Sequence, residues 1–344
     1  MVRIHSVDVF RVFAILAVIM IHSTPFRYLT SETNSTFALL DIIINQLARF
    51  AVPFFFVISG YFWGVKVRQG LDITTLTMTT AKRILAIYIA WCFIYLIPFD
   101  TASISKYGAF GPIKVIYWQI EYSLQNPLKF LLEGTKRHLW FLTALISSLI
   151  CCYCFIRYKL FKSLIFCAVL FYLVAVLAKA YNTTDIGIDW EFNSRNGPFF
   201  GLIFFVTGYI LSGKVISPKH MTIGIITFLF GTIVHFSELY FLFSNQETFA
   251  EPDFLFGTYF MGLGVSLTAL SNHPCLQRKS LAKIGKLTLG IYAIHHIYID
   301  LFSFYDIQVN SMLWDITYLI LVFTLSTYTV IKLSKFRALR NILQ

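Results

Sequence analysis

Long apolar runs, each about the length that crosses a bilayer, recur along the whole chain, and this one feature leaves few folds open. Roughly 20 apolar residues in a helix span the hydrocarbon core. Runs of that size lie near 7–26, 39–64, 82–98, 138–156, 160–180, 197–213, 220–242, 253–271, 287–305 and 312–333. They are long and lack strict alternation, so they read as helices rather than barrel strands. The expectation is an all-α polytopic membrane protein with about ten transmembrane helices, in a single integral-membrane domain over 1–344. Composition agrees: 57% of the residues are hydrophobic and only 13% are charged, where a soluble domain carries roughly a quarter. A soluble enzyme, a disordered chain and a disulfide-rich secreted domain are thereby excluded. The first run contains Arg11 and His22 and no small-x-small cleavage site, so it reads as a retained helix, not a signal peptide.

The net charge of +11 acquires meaning once each charge has a side. With the N-terminus inside, 18 of the 28 Lys and Arg residues fall on inner segments and 8, Arg27 among them, on outer ones. Acidic residues gather outside, with Asp185, Asp189 and Glu191 in one loop and Glu247, Glu251 and Asp253 in another. The positive-inside rule then places both termini in the cytoplasm. The positive charge is explained by topology and anionic lipid, not by nucleic acid. Five of the six cysteines lie in spans and Cys275 in an inner loop, so no disulfide framework is implied. Residues 99–137 are too long for a plain loop, and Ile113–Leu132 reads as a helix lying along the outer surface.

Ionisable side chains inside spans cost about 2.5–3.5 kcal/mol on insertion scales, so each is a functional candidate. The first span holds Asp8, Arg11 and His22. Arg11 and His22 are eleven positions apart, within roughly 20° of three full turns, and Asp8 is an i,i+3 neighbour of Arg11. One face therefore carries all three. It is either a polar pathway or a boundary ion pair with a snorkelling histidine. In the ninth span, Tyr292, His295 and His296 fall near the middle. Adjacent histidines point about 100° apart, so at most one is expected to share a cavity with His22. Tyr292, at i,i+3 from His295, is placed to hold that ring's tautomer by a hydrogen bond.

Other candidates are Arg49, whose nearest acid in the sequence is Asp41; Arg195 opening span six; His138 and Trp140 opening span four; and His235 with Glu238 in span seven. Lys82 and Arg83 begin span three, as topology anchors or as contacts for an anionic ligand. His22, His295 and Glu238 are conceivable metal ligands, but their spacing supports no site and no metal is expected. Nucleotide motifs such as the P-loop and G-x-G-x-x-G are absent from the sequence.

These residues carry a resemblance. Asp8-Val-Phe-Arg11, ten residues and then His22 match the opening motif of the membrane acyltransferase 3 family. So does Ala51-Val-Pro53-Phe54-Phe55-Phe56-Val-Ile-Ser59-Gly60-Tyr61 in the second helix. Further matches are His138-Leu-Trp140-Phe141-Leu142, Arg195-Asn196-Gly197 followed by Gly208-Tyr209, and Gly290-Ile-Tyr292-Ala-Ile-His295. The family comprises ten-helix enzymes that O-acylate carbohydrates of the bacterial envelope. The resemblance implies a multi-pass protein of the bacterial cytoplasmic (inner) membrane, in the short form without an extra outer domain. It implies His22 as the catalytic residue, either as general base or as acyl carrier, with Arg11 as its essential partner and His295 lining the same cavity. Acyl-coenzyme A is the expected donor, with acetyl as the default acyl group, and no cofactor is permanently bound. The family's Arg-x-x-Arg before span three is broken at Thr80, which leaves Lys82, Arg83 and Arg11 as the donor contacts. Tyr292, Arg195, His138, Trp140 and Glu238 are the acceptor-side candidates. The acceptor would be an O-antigen, capsular, exopolysaccharide or lipid-linked sugar. The rival expectation is a transporter or flippase for an envelope saccharide, since intramembrane charges mark transport paths equally well.

Overall fold

The structure is a computed structural model that describes residues 3–23, 35–245, 251–309 and 311–343. Arg27, Glu247 and the end of the first expected span at 24–26 lie outside the described residues. Among the described residues, regular structure is entirely helical. In chain order the helices are α1 His5–Ser23, α2 Ser35–Leu47, α3 Ala51–Arg68, α4 Ile73–Ile94, α5 Ser103–Tyr107, α6 Gly111–Gln125, α7 Pro127–Glu133 and α8 Trp140–Arg157. They continue with α9 Phe161–Lys179, α10 Pro198–Leu211, α11 His220–Asn245, α12 Phe256–Leu270, α13 Lys279–Gly285, α14 Thr288–Gln308, α15 Met312–Leu333 and α16 Arg337–Leu343.

Seven segments are long and apolar enough to cross a membrane: His5–Ser23, Leu39–Arg68, Ile73–Ile94, Arg137–Arg157, Phe161–Lys179, His220–Ser244 and Met312–Leu333. Lys279–Gly285 and Thr288–Asp306, bent by 70°, make an eighth if they form one broken span. The runs expected near 197–213 and 253–271 fall on the shorter apolar helices α10 and α12. α10 opens at Pro198 because Gly197, at φ +65°, turns the chain into a proline whose fixed φ and missing N–H suit a first helical turn. α1 is the most enclosed of the seven at 61% buried, while His220–Ser244 is the least enclosed at 22%.

The single surface helix expected over 113–132 is instead two, α6 and α7. The break falls at Asn126-Pro127, where Asn126 leaves helical geometry (φ −126°, ψ 63°). A proline lacks the donor for the preceding turn and pushes the residue before it out of the helical region. Phe110, Ile113, Tyr117, Leu124, Leu128 and Leu131 are all exposed here, an apolar surface suited to an interface.

The chain forms two compact units interleaved in sequence. The first comprises Met1–Ala14, Arg49–Leu85 and Trp140–Ala282; the second comprises Ile15–Ala48, Ala86–Leu139 and Lys283–Gln344. In the first unit, α3 packs on α10 and α11 on α12 by backbone approach. A Cβ at Gly60 would fall on the Phe205 carbonyl, and one at Gly208 on the Val57 carbonyl. Such small-residue seams let helices associate in lipid, where apolar surface alone supplies no driving force. Phe54, Phe56, Phe204, Phe205 and Phe254 fill the space beside this seam. In the second unit, side chains reach main-chain carbonyls across helices: Tyr95 Oη donates to Ala293 O at 2.7 Å and Trp91 Nε1 to Ile342 O at 3.0 Å.

Gly208→Leu should therefore destabilise the protein by the ~1–3 kcal/mol typical of overpacking. The check is its thermal midpoint in detergent, which should fall by several degrees. Ile226→Leu, at an exposed site on α11, should leave that midpoint unchanged.

Candidate functional site

Four histidines gather in the second unit. His22 lies in the last turn of α1, His138 in the 3-10 turn Arg137–Leu139, and His295 and His296 on α14. The His22 ring centroid is 4.5 Å from that of His296, 5.5 Å from His295 and 6.3 Å from His138. His138 stacks on His296 at 4.3 Å and 23°. The expectation that at most one of the adjacent pair meets His22 is corrected: both do. Their Cα–Cβ bonds diverge as helix geometry demands, but the ring centroids of His295 and His296 end 4.7 Å apart. Side-chain rotation closes the angle that the backbone opens.

His138, His295 and His296 are buried and His22 is half-buried. His295 Nδ1 lies 2.6 Å from the Tyr292 carbonyl oxygen. A carbonyl only accepts, so Nδ1 carries the proton and Nε2 is left with its lone pair. Tyr292 thus orients His295 through its main chain and not through its phenol, which donates to the His138 carbonyl. His295 Nε2 and both ring nitrogens of His296 have no hydrogen-bond partner among the described residues. Unsatisfied buried groups of this kind are uncommon, and each calls for an explanation such as an ordered water, an ion, a ligand or a catalytic role. One ligand atom each from His22, His295 and His296 lies within 4.8 Å of the others, a grouping that could hold a metal ion. Beside the cluster, Lys136 and Asp300 form an ion pair at 2.5 Å.

Glu238, conceived as a third ligand with His22 and His295, is engaged elsewhere. Its carboxylate accepts from the Phe256 and Gly257 N–H groups at 3.1 and 2.7 Å and from Tyr181 Oη at 3.1 Å. It caps the first turn of α12, where backbone donors lack partners and a negative charge is favoured. His235 on the same helix meets Thr258 Oγ1 at 3.1 Å.

The remaining candidates lie in the first unit. Arg11 pairs with Asp8 at 2.9 Å, and Asp8 also takes Arg3 at 2.7 Å. The guanidinium of Arg11 sits over the Phe62 ring, 5.5 Å from its centroid. The ion pair read from the i,i+3 spacing is thus present, with a third member. Lys82 and Arg83 are exposed on α4. Thr80, at the broken motif position, turns its hydroxyl back to the Leu76 carbonyl at 2.7 Å.

Arg195 and Trp140 come together, with the guanidinium 4.7 Å from the indole centroid. Arg195 also reaches Asp253 at 3.3 Å, as does Arg49, and Lys179 approaches the same carboxylate at 3.8 Å. Burial pushes the Asp253 carboxyl upward, but Arg195, Arg49 and Lys179 outweigh it and hold the group below the ordinary carboxylate range. The partner of Arg49 is therefore Asp253, far along the chain, and not Asp41. Sequence reasoning undervalued two residues: His296, which adjacency to His295 flagged, and Asp253, whose partners no local spacing connects.

No solved structure matches this chain. Among curated proteins it is similar to an amino-acid racemase of Enterococcus faecalis, 25% identical over 333 residues, or 90% of this chain and 44% of that protein. A second amino-acid racemase of that organism is 27% identical over 222 residues, covering 64% of this chain and 27% of its own length. A serine/alanine racemase of Enterococcus gallinarum is 25% identical over 225 residues, 64% of this chain and 28% of that protein. The chain spans less than half the length of these curated relatives. Its residues 4–331 match the family of acyltransferase domains known as acyltransferase 3, nearly end to end. The chain belongs to the acyltransferase 3 family.

Proposed function

We propose that this protein is an integral membrane O-acyltransferase that moves an acyl group, acetyl by default, from acyl-coenzyme A to a hydroxyl of an envelope carbohydrate. In this reading the chain crosses the bacterial cytoplasmic membrane ten times with both termini inside. Seven long helices, the bent pair α13–α14 and the short apolar helices α10 and α12 provide the crossings. The observation that carries the reading is His22 set against His295 and His296 in a largely buried cluster, within a chain of this family. Racemisation is not carried over from the similar proteins, because the aligned part is less than half of each.

Neutral His22 takes the proton of the acceptor hydroxyl as its oxygen attacks the thioester carbonyl. The tetrahedral intermediate collapses to the ester, and the coenzyme leaves as a thiolate that recovers a proton from the His22 imidazolium. His295, with its proton held on Nδ1, presents a lone pair on Nε2 that accepts a hydrogen bond from the sugar hydroxyl or from His22 in its protonated form. Burial strengthens such contacts by excluding water. Arg11, Lys82 and Arg83 are assigned to the phosphates of the donor, which guanidinium and ammonium groups bind well.

His22→Ala should lower acyl transfer by about 10²–10⁴-fold, the usual worth of a general base, with expression and helix content retained. The measure is mass analysis of surface glycans from cells carrying each form; full acylation with the variant would remove His22 from the mechanism. Lys82→Ala combined with Arg83→Ala should raise the KM for acyl-coenzyme A about tenfold or more and change the acceptor KM little. An unchanged donor KM would move the coenzyme away from these two side chains.

A further inference from the structure

Asp253 is outnumbered. Its carboxylate meets Arg49 Nη1 and Arg195 Nη1 at 3.3 Å and Lys179 Nζ at 3.8 Å. Glu251, exposed two residues earlier, is near enough to act on Arg49. Among the described residues, three cations still exceed two carboxylates. The pairing is also loose, since charge-assisted N–H···O bonds settle at about 2.7–2.9 Å. Each guanidinium uses one terminal nitrogen on Asp253, leaving idle the two-pronged fork that suits it to oxyanions. The Nε of Arg49 and that of Arg195 are buried and have no hydrogen-bond partner among the described residues.

Water is a poor substitute here, because the two arginine side chains are only 12% and 14% exposed. Several segments of the first unit converge to hold them. Arg49 comes from the turn before α3, Lys179 from the end of α9, and Arg195 and Asp253 from the loops before α10 and α12. Trp140, the first residue of α8, offers its ring face to Arg195 at 4.7 Å and fixes the plane of that guanidinium. Excess positive charge, buried idle donors and an aromatic platform together describe a receptor for an oxyanion, with Asp253 as a resident counter-ion.

We propose that Arg49, Arg195 and Lys179, with Trp140 as platform, form a binding site for a ligand bearing a carboxylate or a phosphate. Only one extension rests on the acyltransferase reading: the acceptor sugar would then be an acidic one, a uronate or a phosphorylated sugar. Binding itself is independent of that reading, and its test involves no acyl transfer.

The probes are glucuronate, inorganic phosphate and neutral glucose, added to the full-length protein purified in detergent, with sodium chloride at matched ionic strength as control. Calorimetric titration and the thermal midpoint are the readouts. Glucuronate or phosphate should bind saturably and raise the midpoint above the chloride and glucose controls; whichever does so names the source of the charge. Arg195→Gln should weaken binding about tenfold or more, and Lys179→Gln, at the more exposed edge, by a few-fold. Asp253→Asn removes the competing carboxylate and should tighten binding. If that variant is unstable, a larger anion-dependent rise in its midpoint reports the same competition. The proposal is overturned if neither anion exceeds the chloride control, or if Arg195→Gln and Lys179→Gln bind as the unchanged protein does. An Asp253→Asn variant that gains nothing from the anion would make the cluster a structural ion network only.

Discussion

A charge or an imidazole inside a bundle of apolar helices cannot turn to bulk water, so it must find its partner within the protein. That constraint organises this structure. Asp8 draws in Arg3 and Arg11, Asp300 takes Lys136, and Glu238 closes on the bare N–H groups that open α12. In each case burial that would otherwise penalise the group is offset by a charge or a dipole at hydrogen-bonding distance. The positions where this settlement is incomplete are the informative ones. Among the described residues, His296 and His138 each have two ring nitrogens without a hydrogen-bond partner, His295 has one, and Arg49 and Arg195 have an Nε each; Asn45 Oδ1 and Ser326 Oγ are in the same state elsewhere. Structural side chains would be expected to be satisfied. Unsatisfied ones in two settings, one made of imidazoles and one of guanidinium groups, are what the proposed chemistry and the proposed recognition rest on.

The same logic accounts for the glycines. Lipid chains are as apolar as leucine, so helix association depends on close fit rather than on escape from water. Gly60 and Gly208 sit where α3 and α10 bring their main chains together. The pairing explains why Ser59-Gly60-Tyr61 and Gly208-Tyr209 stand out in the sequence. They carry no chemistry themselves; they set the spacing of the helices whose loops present Arg49 and Arg195.

Much of the candidate site was legible because it lies within single helices. The eleven-residue step from Arg11 to His22 and the three-residue steps from Asp8 to Arg11 and from Tyr292 to His295 are properties of one helix, and helix geometry is nearly invariant. Two errors came from the limits of that geometry. Cα–Cβ directions separated His295 from His296, but ring rotation brought both to His22. Tyr292 acts on His295 through its carbonyl, a group that every residue possesses and that side-chain reasoning overlooks. The surface helix over 113–132 failed for a local reason that was visible, the proline at 127.

The sequence by itself determined that the chain is helical and apolar enough to cross a bilayer repeatedly. It also determined which few ionisable residues fall within the apolar runs, because hydropathy and helical period are summed over neighbouring residues. Only the tertiary structure decided the partners. Asp253 joins Arg49, Lys179 and Arg195, and His22 joins side chains from the turn before α8 and from α14. Those pairings span tens to hundreds of residues, and they follow from which helices pack together, a choice made by steric fit along whole helix faces and encoded in no local spacing.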